Sequence, residues 1–234
     1  MLLVRPGKTG LFCPYVNSYL KVDMQCKPFY DPPMSRNANH PPKGATIKVE
    51  PIRSLEAIQG IKARLEGQGR ARDLCLFTVG INTAYRAGEL LSLTVGQVEH
   101  LGVGDRLEVF QPKTRRYRAT TLNRPCVTTI ASWLAVHPEP HPEAALFYSR
   151  RSRRSLGVSV LNRLVKSWCA DEGLAGNYGS HTLRKTWGYH QLRQANTPLP
   201  FLMTAYGHAT QQQTLEYLCI EAEEISALYT ALEL

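Results

Sequence analysis

The chain has 234 residues, 43% hydrophobic and 20% charged, which suits a globular protein with one sizeable core and a small appendage, and excludes a disordered or fibrous chain. Its 28 lysines and arginines against 19 aspartates and glutamates leave a net charge of +9, a balance that favours phosphate-rich partners, nucleic acid above all. No apolar run is long enough to span a membrane, and the start, MLLVRPGKTG, lacks a signal-peptide core, so a cytoplasmic protein is expected.

The first stretch, roughly to residue 45, differs from the rest. YDPPMSRNANHPPKGA is rich in Pro, Asn and Gly and has no apolar period, so residues 1–48 are expected to form an extended arm or linker, with at most one short ordered element in LFCPYVNSYLKV. From Ile52 the pattern sharpens. SLEAIQGIKARLEG predicts a helix capped by Ser54, with Leu55, Ile58, Ile61 and Leu65 on one face. ARDLCLFTVGINTAYRAGELLSL predicts two helices with a tight joint near Gly80 and Asn82. LGVGDRLEVF and RYRATTL predict strands, and a three-stranded sheet is expected between about 98 and 122. PCVTTIASWLAVH predicts a helix with Pro125 in its first turn. SVLNRLVKSWCADEGLAG predicts an amphipathic helix with Leu161, Leu164, Val165 and Trp168 inward. HTLRKTWGYHQLRQAN, LPFLMTAYG and TQQQTLEYLCI predict further short helices, and EAEEISALYTALEL a last one. The fold class is mainly α with a small antiparallel β-sheet.

Six cysteines are scattered without a C-x-x-C pair and are expected to be buried or incidental thiols. Cys13 and Cys26 could share a metal, but two ligands at that spacing are a weak signal, and no metal or cofactor is expected.

Three polar clusters stand out. In YRAGELLSL, Arg86 and Glu89 share one face of a helix start; in SHTLRKTWGYH, so do His181 and Arg184; and in YGHATQQQTLEYL, His208 follows a glycine with Tyr217 nine residues on. Each has an ordinary alternative: a surface ion pair, a solvated helix face, a packing tyrosine. Their order is less ordinary: R-x-x-E, a hairpin bearing Lys113-Thr114, H-x-x-R, Gly-His, then Tyr. This order resembles the tyrosine recombinases, also called phage-type integrases, over roughly Ile52 to Ile220. INTAYRAGELLSLTVGQV resembles that family's first box, QPKTRRYRATTL its lysine-bearing hairpin, SHTLRKTWGYHQL its H-x-x-R box and MTAYGHATQQQTLEYL its final box.

The resemblance implies a catalytic domain over 49–234 that cleaves and rejoins DNA strands through a 3′-phosphotyrosyl intermediate, with no cofactor. Tyr217 would be the nucleophile, favoured over Tyr229 by motif register. Arg86 and Arg184 would fork onto the phosphate, because a guanidinium stays charged and binds two oxygens at once. His181 would take the phenol proton and His208 would donate to the phosphate. Lys113 would protonate the leaving 5′-oxygen, and Glu89 would orient Arg86. Arg115, Arg116, Arg118 and Lys185, with Arg151 and Arg153 from YSRRSRRS, are the candidate DNA contacts; the YSRRSRRS run reads equally well as a solvated loop. Double-stranded DNA is the expected partner, with a homo-oligomer (a tetramer) assembled on it and accessory DNA-bending proteins, in a cytoplasmic, nucleoid-associated protein of a mobile element. Family members carry a helical DNA-clasping domain ahead of the catalytic one, and the residues before Ile52 do not resemble it. A helix after the nucleophile, here 221–234, often docks on a neighbouring subunit in the family; docking within its own chain is the alternative. A type IB topoisomerase-like activity shares the chemistry, and a non-catalytic DNA-binding relic or regulator is the alternative of another class.

Overall fold

A computed structural model of the chain describes residues 48–111, 116–149 and 151–220. The expected arm, apart from Lys48, and the expected last helix lie outside these residues, as do Cys13, Cys26, Lys113, Arg115 and Tyr229. The described part is mainly helical with two small antiparallel hairpins. None of its helices is long and apolar enough to cross a membrane.

Helix α1 (Leu55–Gly67) starts where Ser54 Oγ accepts from the Ala57 N–H at 3.0 Å, the expected cap, and it buries Ile58, Ile61 and Leu65. Leu55 does not join that face. It occupies the first helical position, short of the core, and is 46% exposed. Helix α2 (Ala71–Thr83) is the centre of the molecule, buried on most sides and packed on α1, α4 and α6. The joint that follows is not at Gly80 and Asn82 but at Ala84, whose φ of +56° turns the chain into α3 (Ala87–Leu91). Gly80 lies inside α2 for a different reason: a Cβ there would stand 2.6 Å from Leu183 Cδ1 on α6, so the glycine sets a close helix crossing.

Strands β1 (Arg106–Gln111) and β2 (Arg116–Thr121) pair antiparallel, Arg106 opposite Thr121 and Gln111 opposite Arg116. Leu107, Val109 and Gln111 face inward while Phe110 and Tyr117 form an exposed cross-strand pair, the period-2 alternation of a half-buried ribbon. The expected third strand is not there. Among the described residues, 98–105 is a succession of turns, with Leu101 N–H donating to Val98 O at 3.1 Å and Asp105 N–H to Gly102 O at 3.2 Å, which leaves no extended backbone to pair.

Helix α4 (Arg124–Leu134) has Asn123 as its cap and Pro125 in its first turn. The YSRRSRRS run makes a small hairpin of β3 (Tyr148–Ser149) and β4 (Arg154–Ser155). Helix α5 (Val158–Asp171) buries Leu161, Val165 and Trp168 as its spacing predicts, with Leu164 at the margin. Trp168 meets Phe77 of α2 edge-to-face at 5.7 Å. Helices α6 (Thr182–Arg193), α7 (Leu199–Tyr206) and α8 (Gln211–Leu218) close the described part. Beside the main core sits a smaller cluster of Ala84, Leu202, Tyr206 and Leu218, with Trp187 and Tyr217 packed against it. Cys75, Cys126, Cys169 and Cys219 are buried free thiols.

Candidate active site

The small cluster lies where the α2–α3 joint, β2, α6, α7 and α8 meet, and every motif of the sequence contributes to it. Arg86 is the N-cap residue of α3. Its backbone N–H donates to Glu89 Oε2 and its Nη1 to Glu89 Oε1, both at 2.8 Å. This is no ordinary surface pair. Glu89 is 7% exposed, accepts a third bond from Gln111 Nε2 at 2.8 Å and lies 3.9 Å from Arg118 Nη1. Burial raises the Glu89 carboxyl, but the Arg86 hydrogen bonds and the Arg118 and Arg86 charges outweigh it and hold the group below its ordinary value. The guanidinium of Arg86 is left 45% exposed, so one arginine faces outward on a buried carboxylate support.

Helix α6 supplies the second arginine. His181 is its N-cap residue, and Arg184 and Lys185 follow on the same face. Arg184 is only 3% exposed, so the expected alternative of a solvated helix face does not apply. Its Nη2 donates to Tyr206 O at 3.0 Å and its guanidinium lies 4.8 Å over the Tyr206 ring, while Nε and Nη1 are buried without a hydrogen-bond partner. Burial pulls its pKa down to about 10, and the group remains a cation at neutral pH.

Tyr206, fully buried at the end of α7, organises the site. Its hydroxyl donates to Arg184 O at 2.8 Å, and its carbonyl also accepts from Arg118 Nη2 at 3.4 Å. The close approach requires Gly188: a Cβ there would collide with the Tyr206 hydroxyl. Gly207, at φ +70°, then ends α7 in the left-handed conformation that a glycine adopts without strain, and delivers His208. The His208 ring stacks on Tyr206 at 5.1 Å, and its Nδ1 is 3.0 Å from the buried Thr214 Oγ1.

Tyr217 sits on α8 against these groups. Its ring centroid is 5.1 Å from both Tyr206 and His208, and its hydroxyl is buried without a partner. Burial raises its pKa, while Arg184, Arg86 and Arg118 work in the opposite direction. Both histidines are held below the ordinary imidazole value, by desolvation first and then by neighbouring cations: Arg184, Lys185 and Arg86 for His181, and Arg184, Arg86 and Arg118 for His208. Both rings are therefore neutral at pH 7 and free to accept a proton. The front of α8 carries exposed Gln211, Gln212 and Gln213, whereas its end is pinned by Arg53 Nη2 donating to Cys219 O at 3.0 Å.

The structure thus brings Arg86, Glu89, His181, Arg184, His208 and Tyr217 together. Lys113 and Arg115, and the side chain of Arg116, lie outside the described residues. Two candidate surface contacts need correction. Arg118 points inward: its Nη1 donates to Ala84 O at 3.2 Å, so it belongs to the site's own framework. Lys185 is 6% exposed, with its ammonium 4.9 Å from the Tyr217 ring centroid, so it is a buried residue and not a surface cation. Arg151 and Arg153 are exposed on the β3–β4 turn, Arg153 paired with Glu139 at 2.9 Å. That hairpin meets the far end of α2, where Arg72 Nη1 donates to Tyr148 O at 3.1 Å. Sequence reasoning missed Tyr206 and Gly188. The available signal was Gly188 in line with His181, Arg184 and Lys185 at i, i+3, i+4 and i+7, since a glycine on a polar helix face marks a close approach. Among the described residues no group of three or more His, Cys, Asp or Glu is placed to hold a metal ion.

A model of the phage integrase family matches residues 54–224. The probable integrase/recombinase YoeC of Bacillus subtilis is 32% identical over 181 residues, covering 77% of this chain and 95% of YoeC. Tyrosine recombinase XerC of Caldanaerobacter subterraneus subsp. tengcongensis is 26% identical over 175 residues, covering 74% of this chain and 48% of that protein; the chain spans about half the length of this longer relative. Among solved structures, the XerA recombinase superposes with a TM-score of 0.63 at 22% identity, over 82% of this chain and 66% of that one. The XerH site-specific recombinase, bound to a palindromic difH substrate in a post-cleavage complex, gives 0.64 at 21% identity, over 81% and 54%. The chain belongs to the phage integrase family, the tyrosine recombinases.

Proposed function

We propose that the chain cleaves and rejoins DNA as a site-specific recombinase, with Tyr217 as nucleophile. One observation carries the reading: Arg184 Nε, Arg184 Nη1 and the Tyr217 hydroxyl are buried polar atoms without partners, within one cluster. Buried orphans are costly, and three in one place mark a site that awaits a polar ligand. A phosphodiester fits. Its non-bridging oxygens accept from Arg184 and from the exposed Arg86. The Tyr217 oxygen attacks phosphorus, the bond to the 5′-oxygen breaks, and a 3′-phosphotyrosyl link forms. The phenol proton passes to a neutral histidine, with His181 the expected acceptor and His208 a donor to the phosphate. The leaving 5′-oxygen takes a proton, expected from Lys113. The reverse attack by a 5′-hydroxyl reseals the strand, and the bond energy is kept in the phosphotyrosyl link throughout. Double-stranded DNA is the substrate, a homo-oligomer assembled on it the working form, and the cytoplasm, at the nucleoid, the place of action. Residues 49–234 would be the catalytic domain, with 1–48 as an arm.

The test is a nicked duplex that traps the cleaved state, resolved on a denaturing gel. The wild type should form a covalent adduct. Tyr217→Phe should bind DNA with unchanged affinity and form none, since no other group can take its place. Arg184→Ala should slow adduct formation by roughly 10²- to 10³-fold, the scale of losing one transition-state donor. Lys113→Ala should regain activity on DNA whose leaving oxygen is sulfur, which needs no proton. An adduct in Tyr217→Phe refutes the choice of nucleophile. Absence of an adduct in a DNA-binding wild type leaves the non-catalytic regulator as the function.

A further inference from the structure

Lys185 has no role in the chemistry described so far, and its surroundings are unusual for a lysine. It is 6% exposed, and among the described residues no carboxylate contacts it. Among the described residues its ammonium makes two direct contacts. It donates to Cys219 Sγ at 3.3 Å, and it lies 4.9 Å from the centroid of the Tyr217 ring. The Cys219 thiol is turned toward Val49 O at 3.5 Å, so its lone pairs remain for the lysine. Cys219 also closes α8 with a φ of +58°, a strained conformation for a side chain with a Cβ, and the Lys185 and Arg53 contacts hold it there.

A cation buried without an anion lowers stability. A thiol acceptor and an aromatic face offset only part of that cost. Such a group fits a place where negative charge arises later, and the nearest such place is Tyr217, which must lose its proton when it attacks. We infer that Lys185 is a positioning residue for the nucleophile: its ammonium, fixed by Cys219, holds the Tyr217 ring and stabilises the phenolate that forms during cleavage. The inference rests on Tyr217 being the nucleophile. It adds a cation over the Tyr217 ring to the arginines proposed to serve the phosphate. Among the described residues the other titratable and charged groups around Tyr217 are Arg184 on α6, Arg86 at α3, Arg118 on β2, Tyr206 at the end of α7, His208 after it and Cys219, and His181 faces Arg184, Lys185 and Arg86.

Lys185→Met keeps the buried stem and removes the charge, and Lys185→Arg keeps a charge. Lys185→Met should fold with a melting temperature equal to or above the wild type, because a buried cation with no carboxylate contact among the described residues is gone. Its single-turnover adduct formation on the nicked duplex should nevertheless fall about tenfold at pH 7, since a desolvated cation over an aromatic face is worth about 1–2 kcal/mol, the scale of a tenfold change in rate, and gains as that ring takes on negative charge. DNA affinity should be unchanged, and Lys185→Arg should recover part of the rate. The decisive readout replaces Tyr217 with difluorotyrosine, a more acidic phenol, in the wild-type background and in Lys185→Met. If Lys185 acts on the phenolate, the rate gap between these two backgrounds narrows with the acidic phenol; a merely structural role leaves the gap unchanged. An unchanged gap, or an unchanged rate in Lys185→Met, overturns the inference. A wild type without a Tyr217 adduct would instead overturn the nucleophile itself, so the two failures are separate.

Discussion

At the scale of single residues the site depends on Glu89. Arginines that grip a phosphate repel one another, and each needs an anion that does not compete for the substrate. Glu89 meets that need from inside the fold: it binds the Arg86 backbone and side chain, receives Gln111 from β1 and faces Arg118 on β2. One carboxylate therefore ties the first arginine box to the hairpin expected to bear the catalytic lysine. Glu89→Gln keeps the shape and removes the charge. It should lower stability by about 1–3 kcal/mol, the range for leaving a buried charged partner uncompensated. The sign with pH follows from the depressed carboxyl pKa in the fold: the stabilisation is present above the unfolded value and lost as pH falls through the folded one, which lies below the ordinary 4.5. Urea unfolding of both proteins should thus show a gap at pH 7 that closes in the acid range below about pH 4. A gap that persists there would mean that Glu89 acts through shape and not charge.

At the scale of elements, α6 is the organising unit, because one of its faces carries His181, Arg184, Lys185 and Gly188 toward α7 and α8. Gly188→Ala is the test. Alanine ordinarily improves a helix interior by about 1 kcal/mol over glycine. At Gly188 the added methyl meets the Tyr206 hydroxyl, breaks its bond to Arg184 O and pushes α7 outward, so a melting measurement should show a loss of about 1–3 kcal/mol. Gly67→Ala, in α1 with nothing near the added atom, should be neutral or stabilising. A gain at both would contradict the account of α6. The pair also shows what the sequence could reveal. The helices, the cap at Ser54, the place of Pro125 in its helix and the hairpin followed from local pattern, because periodicity and capping are local physics. The candidate site residues Arg86, Glu89, His181, Arg184, His208 and Tyr217, which the fold gathers near one cluster, were legible through motif order. Gly80 was misread as a break, and Tyr206 and Gly188 were missed, because a glycine's reason for being there lies on another helix. Likewise Arg118 and Lys185 look like surface cations in sequence, and only the packing of β2 and α6 turns them inward.

At the scale of the whole molecule, the excess of +9 has to be divided by location. Arg118, Arg184 and Lys185 are shielded from solvent to a large degree and committed to one cluster, so they add little to long-range attraction. The exposed cations, Arg151 and Arg153 among the described ones, are those that can displace counterions from a duplex. DNA affinity should therefore be strongly salt-dependent, yet almost indifferent to loss of Arg184, the proposed phosphate ligand. With about six phosphate contacts, affinity for a random duplex should fall roughly 10³-fold between 50 and 200 mM salt. Arg184→Ala should keep nearly the same slope while cleaving roughly 10²- to 10³-fold more slowly, if its one buried guanidinium engages one phosphate as proposed. Replacing Arg151 and Arg153 together should flatten the slope by about two if both touch the backbone, each phosphate contact contributing close to one unit. Fluorescence anisotropy over a salt series measures all three. A slope unmoved by the double replacement would return the β3–β4 turn to the status of a solvated loop, and a slope strongly reduced in Arg184→Ala would mean that the cluster binds the duplex broadly and not at one scissile phosphate.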